Sequence, residues 1–165
     1  MDVMLKQIYG PEDPWCHVFE GLARPYMVET AAGEKIDNEA FIKSILQRQG
    51  SSTRWLMLIM SGSQVAGFAH YKISDEDPTL GEIYEFYVTP EVRCRGIGRV
   101  AVNLIHRSFL ACGARKSELT ANPPAEGFWV KCGYSPTGKC ERHRQVMQTC
   151  LRSDPFGDRS SGSPG

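Results

Sequence analysis

A chain of 165 residues, 41% hydrophobic and 23% charged, with 19 Lys/Arg against 19 Asp/Glu, has the composition of a soluble globular protein of one domain. A net charge of zero excludes a globally basic nucleic-acid binder, and the longest apolar run, Trp55 to Met60, is too short to cross a bilayer. The charge is nonetheless divided: residues 1–90 carry 7 Lys/Arg and 13 Asp/Glu, whereas residues 91–152 carry 11 and 4, so the first half suits a cation and the second an anion.

Residues 3–9, "VMLKQIY", read as a short first strand. Asp13-Pro14 has the form of an N-cap followed by proline in the first helical turn. Trp15, Val18, Phe19, Leu22 and Tyr26 then form one helical stripe, which Pro25 is expected to end or kink. A polar loop, "ETAAGEK" (29–35), separates this helix from a second one marked by Phe41, Ile42, Ile45 and Leu46. The run 55–60 and the segment "QVAGFAHYKI" (64–73) are the arms of a hairpin joined at "SGS". After the loop "SDEDPTLG" comes a third consecutive strand, "EIYEFYV" (82–88), so the middle of the chain is an antiparallel meander. Gly98, Ala101, Val102, Ile105 and Phe109 mark a helix closed by Gly113. "SELTA" (117–121) is another strand, and Asn122-Pro123 caps a short helix through Trp129 to Gly133. "RQVMQTCL" (144–151) is the last strand, and 153–165 reads as a disordered tail, leaving one domain over 1–152. The predicted order is β-α-α-β-β-β-α-β-α-β.

The N-terminus lacks the apolar run of a secretory signal, and the six cysteines show no C-x-x-C spacing. Both features suit a cytoplasmic protein with reduced, mostly buried thiols. Cys132, Cys140, His143 and Cys150 match no common structural zinc spacing, so no metal is expected.

The stretch "VTPEVRCRGIGRVA" (88–101) joins a strand to a helix through Gly96 and Gly98. A helix N-terminus offers unpaired N–H groups to an anion, and glycine lets the anion approach them. A tight turn with a helix cap accounts for the same pair. Arg93, Arg95 and Arg99 add positive charge. The dinucleotide pattern G-x-G-x-x-G fails because position 101 is Ala, and the P-loop pattern is absent.

The segment "FYVTPEVRCRGIGRVAVNLI" (86–105) resembles the acetyl-CoA-binding segment of the GNAT superfamily of N-acetyltransferases. Its signature, Arg or Gln, two residues, Gly, one residue, Gly or Ala, is matched by Arg93-Cys94-Arg95-Gly96-Ile97-Gly98. A second block, "NPPAEGFWVKCGY" (122–134), is similar to the family's Asn, helix, aromatic pair and Gly-aromatic. The resemblance is good over 53–134 and rests on order and length before that.

The resemblance implies an α/β (α+β) fold: a central mixed, mostly antiparallel sheet flanked by helices, with a splayed parallel strand pair holding acetyl-CoA. It places the pyrophosphate on the backbone of Cys94, Arg95, Gly96, Ile97, Gly98 and Arg99, beside Arg93. It places the pantetheine along Phe86, Tyr87 and Val88, with Asn122 and Trp129 also against the cofactor. Acetyl-CoA is then a co-substrate, the acceptor is a small-molecule or peptide amine, and no metal, nucleic acid or membrane takes part. The acidic first half favours a cationic acceptor; the protein is a monomer or homodimer.

An attacking amine must be neutral, so a base is needed. Glu82, eleven residues before Arg93, matches the base glutamate of some family members, and Glu85 is a second candidate. Strand alternation puts these two on opposite faces unless a bulge intervenes. His70 is a weaker candidate. Where the family often has a tyrosine that protonates the leaving thiolate, this chain has Trp129, whose indole N–H is no general acid near neutral pH. Tyr134, Tyr84, Tyr87 or water remain as the proton source. Loss of catalysis with retained acyl-CoA binding is the alternative reading, and a nucleotide-binding regulatory module the third.

Overall fold

The computed structural model describes residues 1–31 and 37–153. Seven strands form one sheet: β1 (Val3–Ile8), β2 (Arg54–Ser61), β3 (Gln64–Ile73), β4 (Leu80–Val88), β5 (Lys116–Thr120), β6 (Ser135–Glu141) and β7 (Arg144–Cys150). The order across the sheet is β1-β2-β3-β4-β5-β7-β6. Every neighbouring pair is antiparallel except β4 and β5.

Alternation along the strands gives the sheet two apolar faces. Leu56, Leu58, Phe68 and Tyr87 face α1 (Cys16–Thr30) and α2 (Asn38–Gln47), meeting Phe19, Ala23, Ile42, Ile45 and Leu46. On the other face Tyr71, Ile83, Leu119 and Met147 meet α3 (Ile97–Ala111) and α4 (Glu126–Lys131) through Val102, Ile105, Phe109 and Trp129. Short 3₁₀ turns at Pro90–Val92 and Pro123–Ala125 precede α3 and α4.

Four expectations need correction. The first helix starts at Cys16 rather than beside Asp13: the Asp13 carboxylate accepts from the N–H groups of Trp15 (2.8 Å) and Tyr9 (3.1 Å), closing a turn ahead of the helix. Trp15 is consequently outside the core, 38% exposed, with the Lys6 ammonium 4.9 Å from its ring. Helix α1 runs through Pro25 to Thr30. Its buried residues Phe19, Ala23 and Met27 lie on both sides of the proline, so packing outweighs the one missing hydrogen bond. The chain also has a strand that its sequence does not announce. All seven residues of β6 are exposed, so it carries no apolar alternation, and it forms only because β7 supplies a pairing edge. Finally, Cys94, Cys112, Cys140 and Cys150 are exposed and Cys16 and Cys132 half-buried, all as free thiols.

Most of the predicted loop at 29–35 and all but the first residue of the predicted tail at 153–165 lie outside the described residues. Among those described, no helix is long and apolar enough to cross a membrane, and no group of three His, Cys, Asp or Glu could hold a metal ion.

Candidate active site

The parallel strands β4 and β5 pair from Leu80↔Lys116 only as far as Ile83↔Leu119. Strand β4 continues to Val88, while β5 stops at Thr120 and the chain turns away at Asn122. The edge of β4 beyond Ile83 therefore faces an opening, where an extended chain can add hydrogen bonds as a strand would. Phe86 borders this opening, stacked on Phe128 (5.7 Å) and edge-on to Trp129 (5.3 Å). Tyr87 points to the other face, 5% exposed, with the Arg93 guanidinium 5.5 Å from its ring.

Past Val88, the chain turns at Pro90–Val92 and enters α3 through two left-handed residues, Cys94 (φ 61°) and Gly96 (φ 84°). The N–H of Val100 makes the first α3 bond, to the Gly96 carbonyl (3.2 Å). The N–H groups of Ile97, Gly98 and Arg99 precede it and lie at the positive end of the helix. Arg95 and Arg99 are exposed beside them. Arg93 is held elsewhere: it donates to the Glu29 carboxylate of α1 and to the Val88 carbonyl, both at 2.8 Å. Gly98 has a packing role as well, because a Cβ there would sit 3.0 Å from the Phe128 ring. A left-handed glycine, open N–H groups and two exposed arginines fit a pyrophosphate.

Asn122 is half-buried and its side chain makes no capping bond to the turn that follows. Helix α4 ends as a Schellman motif: Gly133 (φ 93°) donates to the Val130 carbonyl and Tyr134 to the Trp129 carbonyl, both at 3.0 Å. The apolar contact that accompanies this motif is Trp129 against Tyr134, ring centroids 5.3 Å apart. Tyr134 is thereby fixed in the core, 1% exposed, its hydroxyl 2.7 Å from Ser117 Oγ and 2.8 Å from His106 Nε2. Burial holds its phenol well above the ordinary range and lowers His106 to about 4. The structure thus brings Tyr134 to Ser117 and His106 and not to the opening. Trp129, 6% exposed, lies between Tyr134 and Phe86.

The two candidate carboxylates lie on one face. The register shifts so that His70 faces Glu85 and Tyr71 faces Ile83, leaving Tyr84 as the extra residue of a β-bulge. Glu82 faces Lys72 and Glu85 faces His70, and Lys72 and His70 are two apart on β3, so their partners share a face. The bulge sits where β4 parts from β5. Their surroundings differ. Glu85 accepts from His70 Nδ1 at 2.6 Å, with its side chain 13% exposed. Arg54 Nη1 lies 2.9 Å from His70 Nε2. Arginine can only donate, so Nε2 accepts and the imidazole proton is on Nδ1, aimed at Glu85. Glu82 is half-buried and accepts from the Tyr84 hydroxyl at 2.7 Å. Burial first, and then Glu82, push the Tyr84 phenol above its ordinary range.

Tyr84, 46% exposed, also lines a cleft of about 550 Å³ with Thr120, Glu141, Arg142 and Arg144. Of the candidate proton donors, Tyr134 and Tyr87 are buried and Tyr84 is at this cleft. Sequence reasoning passed over Arg54, Arg142 and Arg144. Arg54 is the first residue of an apolar strand, and the other two follow a strand with no apolar pattern, so none carries a local signal.

The family model described as "Acetyltransferase (GNAT) family" matches residues 15–134. The chain belongs to the GNAT acetyltransferase family. Its sheet with one parallel pair and its flanking helices are the fold of that family, and membership makes it an acetyl-CoA-dependent acyltransferase. Solved structures share this fold at low identity. An acetyltransferase from Thermus thermophilus aligns with a TM-score of 0.73 at 16% identity, covering 92% of this chain and 98% of that one. PaiA N-acetyltransferase from Thermoplasma acidophilum, in complex with coenzyme A, aligns at 0.69 and 16% identity, covering 91% and 99%. Spermidine N-acetyltransferase from Vibrio cholerae, in complex with CoA and spermine, aligns at 0.69 and 15% identity, covering 90% and 95%. No curated protein matches the chain by sequence.

Proposed function

We propose that this GNAT protein transfers the acetyl group of acetyl-CoA to a primary amine of a small-molecule or peptide acceptor by direct attack. The observation that carries the reading is the opening between β4 and β5, where β4 runs on past its partner into the glycine turn that starts α3. The backbone of Phe86, Tyr87 and Val88 holds the pantetheine arm, with Asn122 and Trp129 against it. The N–H groups from Cys94 to Arg99 hold the pyrophosphate, helped by Arg95 and Arg99, while Arg93 braces the turn against Glu29. Acetyl-CoA supplies an activated thioester: the amine nitrogen bonds its carbonyl carbon and the C–S bond breaks.

Glu82 is the base that takes the amine proton. It is linked to the cleft through the Tyr84 hydroxyl, its one side-chain partner, whereas Glu85 is shielded and already accepts from His70. Tyr84 at the cleft returns a proton to the leaving thiolate, a role for which Tyr134 is too deeply held. Four exposed free thiols support a reducing, cytoplasmic setting. Replacing Glu82 by Gln is expected to lower kcat by roughly 10²–10⁴-fold, the range of lost general-base catalysis, with unchanged acetyl-CoA affinity by calorimetry. If Glu85→Gln gives that loss and Glu82→Gln does not, Glu85 is the base. Trp129 in place of the family's tyrosine favours a second reading, an acyl-CoA binder without turnover. Acetyl-CoA binding with no release of free CoA across an amine panel would establish it.

A further inference from the structure

We infer that the acceptor carries a carboxylate near the amine to be acetylated, and that the tip of the β6–β7 hairpin recognises it through Arg142 and Arg144. The inference rests on the acetyltransferase reading and names the acceptor class of that same site. The cleft of about 550 Å³ joins the opening, because Tyr84 is the bulge residue where β4 leaves β5 and Thr120 is the last residue of β5. At this wall Tyr84 holds Glu82, which suits an ammonium group. The opposite wall is the hairpin tip, with Glu141, Arg142 and Arg144. Glu141 is engaged by the Thr120 hydroxyl at 3.1 Å. Arg144 donates one N–H to the Thr30 carbonyl (2.8 Å) and has others to offer. Arg142 is exposed, and among the described residues no hydrogen bond or ion pair engages it. A guanidinium presents paired N–H groups in a fork that matches a carboxylate.

The two guanidiniums sit at a two-residue hairpin turn, which requires positive φ at both central residues. Arg142 (φ 48°) and His143 (φ 64°) are both left-handed, in a two-residue turn that Asn-Gly would make with less strain. A polyamine would set a second ammonium against these guanidiniums. An amino acid or other aminocarboxylate sets opposite charges together at both ends. A phosphorylated amine shares the anionic chemistry and is separated by experiment.

Wild-type protein and Arg142→Glu are compared, first by calorimetry with acetyl-CoA. Initial rates are then measured with a set of amino acids, their decarboxylated amines, O-phosphoethanolamine and spermidine. The expected result is a preference of roughly tenfold or more in kcat/KM for carboxylated members over decarboxylated partners, the size of one charge-assisted pair. Arg142→Glu should raise KM for carboxylated acceptors by a similar factor and erase that preference, with melting temperature and acetyl-CoA affinity unchanged. Arg142→Ala should lose the preference in part. Wild-type preference for decarboxylated amines, spermidine or O-phosphoethanolamine overturns the inference, as does a preference that survives Arg142→Glu. Acetyl-CoA binding with every carboxylated amine refused overturns it too, yet leaves the cofactor assignment intact. Failure of the wild type to bind acetyl-CoA brings down the underlying reading as well.

Discussion

The turn after β4 and the tip of the β6–β7 hairpin both place residues in the left-handed region: Cys94 at φ 61° and Gly96 at φ 84° in one, Arg142 at φ 48° and His143 at φ 64° in the other. At the first, the N–H groups that open α3 are the proposed ligands of a pyrophosphate, and the residue at the helix N-cap has no side chain to obstruct them. At the second, side chains face a cleft, and two non-glycine residues keep a backbone that glycine would adopt more easily. A cofactor read by backbone leaves a glycine signature. An acceptor read by side chains leaves none.

The largest effect should come from putting a side chain where the backbone is the ligand. Gly96→Glu adds the cost of a left-handed L-residue, roughly 1–2 kcal/mol, and sets a carboxylate beside the pyrophosphate. The strain is present with and without ligand and lowers stability, whereas the blocked approach and like charge should raise the acetyl-CoA dissociation constant about 100-fold or more, equivalent to about 3 kcal/mol. Unchanged affinity by calorimetry would remove the phosphate from this turn and dissolve the contrast between the loops.

The same contrast explains what could be read from the residues alone. The spacing of Ala101, Val102, Ile105 and Phe109 located α3, and these four are buried in it. Ile42, Ile45 and Leu46 likewise form the buried face of α2. Both helices were legible because burial on one side leaves a period. Strand β6 was not, because Ser135 to Glu141 is exposed throughout and gains its conformation from a partner. The common face of Glu82 and Glu85 was not either: alternation separates them, and only the cross-strand register shows Tyr84 as the extra residue. Tyr134 looked available for catalysis by sequence position. Its burial follows from the Schellman closure of α4, which presses it on Trp129. The Arg54–His70–Glu85 chain joins residues on three strands, so no local spacing could announce it.

A smaller effect separates the two glycines of the signature. Gly98 is part of α3, and a Cβ there would stand 3.0 and 3.1 Å from two carbons of Phe128. Phe128 is itself stacked on Phe86, so its ring has little room to yield. Gly98→Ala should therefore destabilise by about 1–2 kcal/mol through overpacking, lowering the melting temperature by a few degrees. Acetyl-CoA affinity should move far less than in Gly96→Glu. Equal losses of affinity in the two variants would mean that both glycines serve the ligand alone.

The smallest effect, and the sharpest, is at the hairpin tip. Replacing Arg142 by Asn and His143 by Gly supplies the pair best suited to two left-handed residues in a hairpin turn. The strain relieved is partly offset by the greater unfolded-state freedom of glycine, so the net gain should be at most about 1 kcal/mol. For a domain of this size that raises the melting temperature by about 2–4 °C. Arg142→Ala keeps the left-handed backbone and should show no such gain. Both variants should lose selectivity for carboxylated acceptors. A more stable, less selective protein from Asn-Gly would show that the tip holds its backbone strain for the sake of its side chains. A less stable one would mean that Arg142 or His143 braces the hairpin, and the tip would then be a structural turn like many others.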